Sequence, residues 1–219
     1  MTQLMNCKGV VPEPLFIFVN EQDPVTYNNF HVTGEFNSAA FTNLSAEPFV
    51  PKYIGGTARY LPFAPCEKDL QFLSPYFLTA INDYRVEYDC ELYRKARYPL
   101  YPSRFSAIFA FGDYESCKAA SKNYGWDLAT VKEFTLTEHP LCRAVKVNME
   151  HVSLARFAYR TSMMQNIEQL WEGYWTGFDN TIIELPTAGF VRKQFESGVI
   201  WEYLIEGKVK HIDQKKETK

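Results

Sequence analysis

Trp201-Glu202-Tyr203-Leu204-Ile205-Glu206-Gly207-Lys208-Val209-Lys210-His211-Ile212 decides how the chain is read. Short runs rich in aromatic and β-branched residues flank Glu206-Gly207, and successive side chains of a strand point to opposite faces. Ile200–Ile205 and Lys208–Ile212 therefore read as paired strands, with Glu206-Gly207 as their turn. Trp201, Tyr203 and Ile205 share one face; Glu202, Leu204 and Glu206 share the other. A face carrying two carboxylates and a leucine suits the wall of a cleft better than a solvated surface.

Working outward, Phe190–Ile200 (FVRKQFESGVI) reads as a loop leading into that strand, with Gly198 as a flexible point. Gly173–Gly189 is loop-like, with a short strand at Thr181–Leu185. His151–Trp171 repeats apolar residues at helical spacing and reads as one long helix. Leu141–Met149 and Ala129–Leu136 are strand candidates. Ser106–Phe111 is a short apolar run suited to a buried strand, followed by a helix at Tyr114–Tyr124. Asp113 is placed to cap the start of that helix and Gly125 its end. From Cys66 to Lys95 a second amphipathic helix is expected, kinked or split at Pro75 and ended by Pro99 and Pro102. Gly34–Pro65 reads as a long irregular segment, and Thr26–Thr33 and Leu15–Val19 as strands. The composite is α+β.

The 219 residues suit one domain, here taken as 1–213, with the charged stretch 214–219 as a flexible tail. Seventeen Phe, 14 Tyr and 4 Trp supply ample core, which argues against disorder. A net charge of −3 lacks the basic balance of a protein that lives on a polyanion, and Arg156, Arg160, Arg192 and Lys193 read as solvated surface charges. Five widely spaced cysteines, with no C-x-x-C, form neither a disulfide framework nor a zinc signature. They read as buried reduced thiols of a cytoplasmic protein, and no His spacing suggests a metal. Leu15–Val19 is too short for a signal peptide or a membrane span.

Three segments carry chemistry when taken in order: Phe30-His31-Val32-Thr33, Ser106–Phe111 running into a small-residue helix, and Trp201–Gly207. They resemble the ADP-ribosyltransferase superfamily, in the branch whose first strand carries a His, as in poly-ADP-ribose polymerases and RNA 2′-phosphotransferases. FHVT resembles the first motif, SAIFAFGDYESCKAA the strand and alanine-rich helix of the second, and WEYLIEGKVKHI the strand pair holding the catalytic Glu. The resemblance implies a split-sheet core and NAD as cofactor. It implies transfer of ADP-ribose to a macromolecular acceptor, protein or nucleic acid, with hydrolysis of NAD as the alternative enzyme activity. Small free-standing members are often toxins of toxin–antitoxin or antiphage systems, so an antitoxin or inhibitor partner is also implied. The alternative from another class is a catalytically degenerate binding or assembly protein.

The reaction expels nicotinamide from ribose through an oxocarbenium-like transition state, which a nearby carboxylate stabilises. Glu202 is the catalytic candidate. His31, by itself an ordinary structural histidine, becomes under the resemblance a partner of a ribose hydroxyl. Thr33, Arg104, Ser106 and Phe109 join it as cofactor-binding residues, with Arg104 suited to the pyrophosphate. The motif tyrosine falls on Ile108, so Tyr174 or Trp175 is the expected substitute platform for nicotinamide. Gln194, Phe195 and Glu196 are the acceptor-recognition candidates. Ile200 lies two residues before Glu202, so the arrangement used to modify protein arginine is absent. Of the basic residues needed to hold an RNA phosphate, only Arg97 and Arg104 stand near a motif.

Overall fold

The computed structural model describes residues 7, 9–45, 49–60, 75–160, 167–187 and 191–212, with residues 75–82 described by backbone only. In chain order the strands and helices are β1 (Leu15–Phe18), α1 (Pro24–Asn28), β2 (Glu35–Asn37), α2 (Ala39–Thr42), α3 (Phe49–Ile54), α4 (Pro75–Arg97), β3 (Ile108–Ala110) and α5 (Tyr114–Tyr124). There follow β4 (Val131–Thr137), β5 (Arg143–Asn148), α6 (Glu150–Arg160), α7 (Ile167–Thr176), β6 (Ile182–Pro186), β7 (Arg192–Glu196), β8 (Trp201–Glu206) and β9 (Lys208–His211). The class is mixed helix and antiparallel sheet, as expected for α+β. The chain divides into two compact units: residues 1–58, 100–146 and 201–219 form the first, and 59–99 with 147–200 the second. The expected tail, 214–219, lies outside the described residues.

The first unit holds two sheets, ordered β1-β4-β9-β2 and β3-β8-β5. The expected β8–β9 hairpin does not form. β8 pairs with β3 in one sheet, while β9 pairs antiparallel with β2 and β4 in the other. Gly207 is the crossing point, and a Cβ there would lie 2.9 Å from Cys142 Sγ, so the residue is small for packing rather than for a turn. On the far side an isolated bridge joins Phe16 to Phe111 through reciprocal N–H···O bonds of 2.9 and 2.8 Å. Leu15, Ala110, Phe134, Ala144, Ile205 and Val209 are buried together between these strands, each at most 1% exposed.

Thr26–Thr33 is helical, not a strand. Asp23 caps α1 by accepting from Thr26 N at 2.7 Å, and Pro24 sits in the first turn, where its missing N–H costs nothing. Asn29–Thr33 continues as a wide π-type turn ended by Gly34 in the left-handed region, φ 65°. Val25 and Val32 are 67% and 74% exposed, so no buried face rewards the β-branched residues, and local capping decides. The segment expected to be irregular after Gly34 contains β2, α2 and α3. Ser38 caps α2, and Tyr53 of α3 is fixed by a 3.0 Å bond from its hydroxyl to Leu141 O and by the Arg143 guanidinium 3.8 Å above its ring. Its later part, 61–65, lies outside the described residues.

Asp113 and Gly125 cap α5 as expected; Asp113 accepts from Ser116 N at 2.7 Å, and Gly125 has φ 71°. In the second unit, α4 starts at Pro75, so the expected kink falls at a helix start that tolerates proline. The remainder of the expected helix, 66–74, lies outside the described residues. The expected single helix 151–171 is α6 and α7, and α7 runs through Gly173, which had read as loop. A Cβ at Gly173 would lie 2.8 Å from His151 Nε2, so close packing overrides glycine's poor helix propensity of about 1 kcal/mol. Residues 192–196, expected in a loop, form β7 of a hairpin with β6. Arg156 and Arg160 pair with Glu87 and Asp83 at 2.9 and 3.5 Å, in keeping with solvated surface charges. Among the described residues, no helix is long and apolar enough to cross a membrane.

Candidate functional site

β3 and β8 lie antiparallel with Phe109 opposite Leu204 and Ile108 opposite Ile205. Strand alternation sends Ile108, Ala110, Tyr203 and Ile205 to the core. Glu202, Leu204, Glu206 and Phe109 share the other face. Burial, with the charge of Asp113 as a lesser cause, pushes the Tyr203 phenol above its ordinary range, consistent with its place on the core side.

The turn before β3 is folded tightly onto that second face. Ser103 O accepts from Ser106 N at 3.1 Å and from Ala107 N at 2.9 Å. The fully buried Glu206 carboxylate accepts from Ser103 N at 3.1 Å and from the Ser106 hydroxyl. Arg104 is thereby carried over the strand. Its Nη1 donates to Glu202 Oε1 at 3.2 Å, and its guanidinium carbon lies 5.0 Å from the centre of the Phe109 ring. The Arg104 and Glu202 side chains are only 11% and 6% exposed. In so shielded a pair the Coulomb attraction is less screened than in open solvent, and the cost of desolvating both charges offsets part of it.

Phe109 also lines an aromatic cleft of about 500 Å³, together with Phe18, Asn20, Phe111, Trp126 and Thr130. Phe18 makes edge contacts with Phe111 and Trp126, at ring separations of 5.8 and 5.2 Å. Trp126 and Phe109 remain 41% and 37% exposed, so two ring faces border open space. Asp127 accepts from Ala129 N at 2.9 Å and holds the turn behind Trp126. A cleft of this size with aromatic walls and a charged pair at one ring has the composition of a small-molecule site, for which volumes of about 300–1000 Å³ are usual.

The structure thus brings together Glu202, Arg104 and Phe109. It places the other expected residues elsewhere. His31 is not on a strand; it is exposed in the π-type turn, with Nε2 2.8 Å from Glu21 Oε2 and its ring tilted against Tyr27, centroids 4.3 Å apart. Thr33 donates to Asn29 O at 2.7 Å and closes the same turn. Ser106 is buried, its hydroxyl donating to Glu206, which makes it a support of the Arg104 turn rather than a cofactor ligand. Tyr174 is fully buried in α7, edge-on to Trp175, so neither presents a platform; both are core of the second unit. Gln194, Phe195 and Glu196 lie on β7 of that unit. Gln194 is exposed, Phe195 packs on Phe157 at 5.1 Å, and Glu196 accepts from Asn180 Nδ2.

Sequence reasoning missed the cleft. Trp126 follows the helix-ending Gly125, a position where a large apolar residue has no helical face to join. That was the one available signal. Among the described residues, no group of three or more His, Cys, Asp or Glu side chains could hold a metal ion. No protein-family model matches the chain, and no curated protein matches it.

Proposed function

We propose that this chain is an ADP-ribosyltransferase that cleaves the nicotinamide–ribose bond of NAD and passes ADP-ribose to a macromolecular acceptor. The observation that carries the reading is the Arg104 guanidinium, paired with Glu202, lying over the ring of Phe109, which itself lines the aromatic cleft. NAD fits the residues present: its two heterocycles suit aromatic walls and its pyrophosphate suits a guanidinium. NAD supplies a good leaving group at an anomeric carbon. Glu202 supplies fixed negative charge where positive charge develops, and Arg104 holds that carboxylate in place. The two sheets of the first unit, joined through Gly207, agree with the split-sheet core this reading expects.

The test incubates the protein with labelled NAD, alone and with lysate protein, RNA or DNA. Label on an acceptor supports transfer. Nicotinamide release without an acceptor identifies a glycohydrolase. Phe195→Ala, with thermal melting as a folding control, asks whether β7 recognises the acceptor. If the protein acts as a toxin, its expression arrests growth, and Glu202→Gln relieves the arrest.

A second reading is a nucleotide-binding protein without catalysis. The closure of Arg104 onto Glu202 favours it, because that contact occupies one oxygen of the carboxylate. Binding of NAD without nicotinamide release under any condition decides for it.

A further inference from the structure

We propose that Cys7 and Cys142 form a redox-active dithiol site that takes small-molecule disulfides, cationic ones in preference, and closes to an intramolecular disulfide. The two cysteines lie 3% and 1% exposed in the core of the first unit, and neither is in a disulfide. Both line one cavity of about 400 Å³. Its rim is exposed at Gly9, Glu13, Glu138 and His139, so the thiol pair forms the floor of a cavity open to small solutes.

The two thiols are in hydrogen-bond contact with each other. The Cys142 S–H donates to the Cys7 sulfur, which pulls the Cys7 thiol below its ordinary range. The same bond, with burial and the nearby negative charge on Cys7 and Glu206, pushes Cys142 up. At Cys117, which lacks such a partner, burial and then the charge of Asp113 push the thiol up to about 12. The thiolate is the nucleophile in exchange, so Cys7 attacks and Cys142 resolves. Both ends are held. Cys7 O accepts from Val10 N at 3.2 Å, and Cys142 N donates to His139 O at 3.0 Å. Thiols in hydrogen-bond contact are placed for the second exchange, whose product is a disulfide of ~2.05 Å.

The chemistry balances as two exchanges. The Cys7 thiolate attacks one sulfur of an external disulfide, forms a mixed disulfide and expels one thiolate. That leaving thiolate takes the Cys142 proton. Cys142 Sγ then attacks Cys7 Sγ and expels the second thiolate, which is protonated from solvent. The two protein thiols are oxidised by two electrons and the external disulfide is reduced to two thiols.

The rim sets the preference. Glu13 and Glu138 put two carboxylates at the cavity mouth; Glu13 is positioned by the Thr135 hydroxyl at 2.9 Å. Their field favours an approaching cation and disfavours an anion, and salt screens it over about 10 Å at 0.1 M.

The experiment treats the reduced full-length chain, carrying Cys66→Ser, with cystamine or with oxidised glutathione, then blocks free thiols and maps peptides. The expected product is a Cys7–Cys142 disulfide, formed several-fold faster with cystamine than with oxidised glutathione at low salt, with the difference shrinking at high salt. Cys142→Ser stops at a mixed disulfide on Cys7, and Cys7→Ser leaves Cys142 unreacted. Repetition on the chain with Cys66 present keeps the test independent of how these variants fold. Unreacted Cys7, a bridge to Cys90, Cys117 or Cys66, or oxidised glutathione reacting as fast as cystamine at low salt overturns the proposal.

Discussion

Arg104 Nη1 and Glu202 Oε1, 98 residues apart in the chain, meet at 3.2 Å, with the guanidinium over the Phe109 ring. The contact ties a turn to the start of β8 and concentrates opposite charges where little water reaches. Glu202→Gln keeps the shape and an acceptor for Arg104 while removing the charge. Nicotinamide release is expected to fall by ~10²–10³, the usual effect of losing one preorganised electrostatic contact. NAD affinity should change little, as read by calorimetry. Unchanged turnover in the folded variant removes Glu202 from the mechanism.

Trp126 is 41% exposed at the cleft, whereas Trp171 and Trp175 are 2% and 1% exposed and Trp201, half-buried under the Lys146 ammonium, lies on the opposite face of β8 from Glu202. Bound NAD should therefore shield Trp126 from a soluble fluorescence quencher more than the other tryptophans. Trp126→Ala should weaken binding about tenfold, the upper end of a ring-pair contribution of ~0.5–1.5 kcal/mol. Equal quenching with and without NAD places the ligand elsewhere.

The parts of the site legible in the sequence are those set by local rules. Glu202 stands out because strand alternation puts a carboxylate on a face with Leu204, and Asp113 and Gly125 because caps are local chemistry. His31 misled for the opposite reason: FHVT has strand-like composition, but Asp23 and Pro24 start a helix seven residues earlier. The β8–β9 arrangement was illegible because a turn and a crossing between sheets share the same Glu-Gly signature. What separates them is Cys142, 65 residues away, packed against Gly207. The cleft is likewise nonlocal, assembled from the ends of β1 and β3 and the loop after α5.

Glu206 and Glu202 sit on one strand face yet should respond differently to mutation. Glu206 is fully buried and accepts from Ser103 N and the Ser106 hydroxyl. Glu206→Ala should cost about 1.5–3 kcal/mol, the range for hydrogen bonds to a charged group. Denaturant unfolding measures it. A stability change within error means the Arg104 turn is held by its own backbone bonds.

Within the second unit, Arg94 and Glu91 form a bidentate pair at 2.7 and 2.8 Å, with side chains 1% and 2% exposed, and Arg94 Nη1 also donates to Pro99 O at 3.1 Å. Arg94→Leu leaves a buried carboxylate with a partner removed and should cost about 3–5 kcal/mol. Adding Glu91→Leu removes the stranded charge and should restore most of that loss. Urea unfolding of the two variants decides; a double variant no more stable than the single one shows that the backbone contact of Arg94, not the ion pair, carries the stability.

His151 makes the stability of the second unit depend on pH. It is fully buried, Nδ1 donating to Asn148 O at 3.4 Å and Nε2 accepting from the Thr181 hydroxyl at 2.8 Å. Burial holds its pKa below the ordinary 6.5, outweighing the opposing effect of Asn148 O. In the unfolded chain the imidazole takes a proton as pH falls through about 6.5, while the folded one stays neutral. The unfolded state then binds more protons, so stability is full above pH ~6.5 and declines as pH falls toward the lowered folded pKa. The slope for this one group approaches ~1.4 kcal/mol per pH unit. His151→Gln, which keeps hydrogen-bonding ability but does not titrate, should lose less stability on acidification from pH 7.5 to 5.5, a window of about two units around the ordinary imidazole value. Urea midpoints measured at both pH values for both proteins give the difference directly, since every other titrating group cancels. Equal losses in the two proteins mean that His151 accepts its proton in the folded state and that Thr181 turns its hydroxyl to accommodate it.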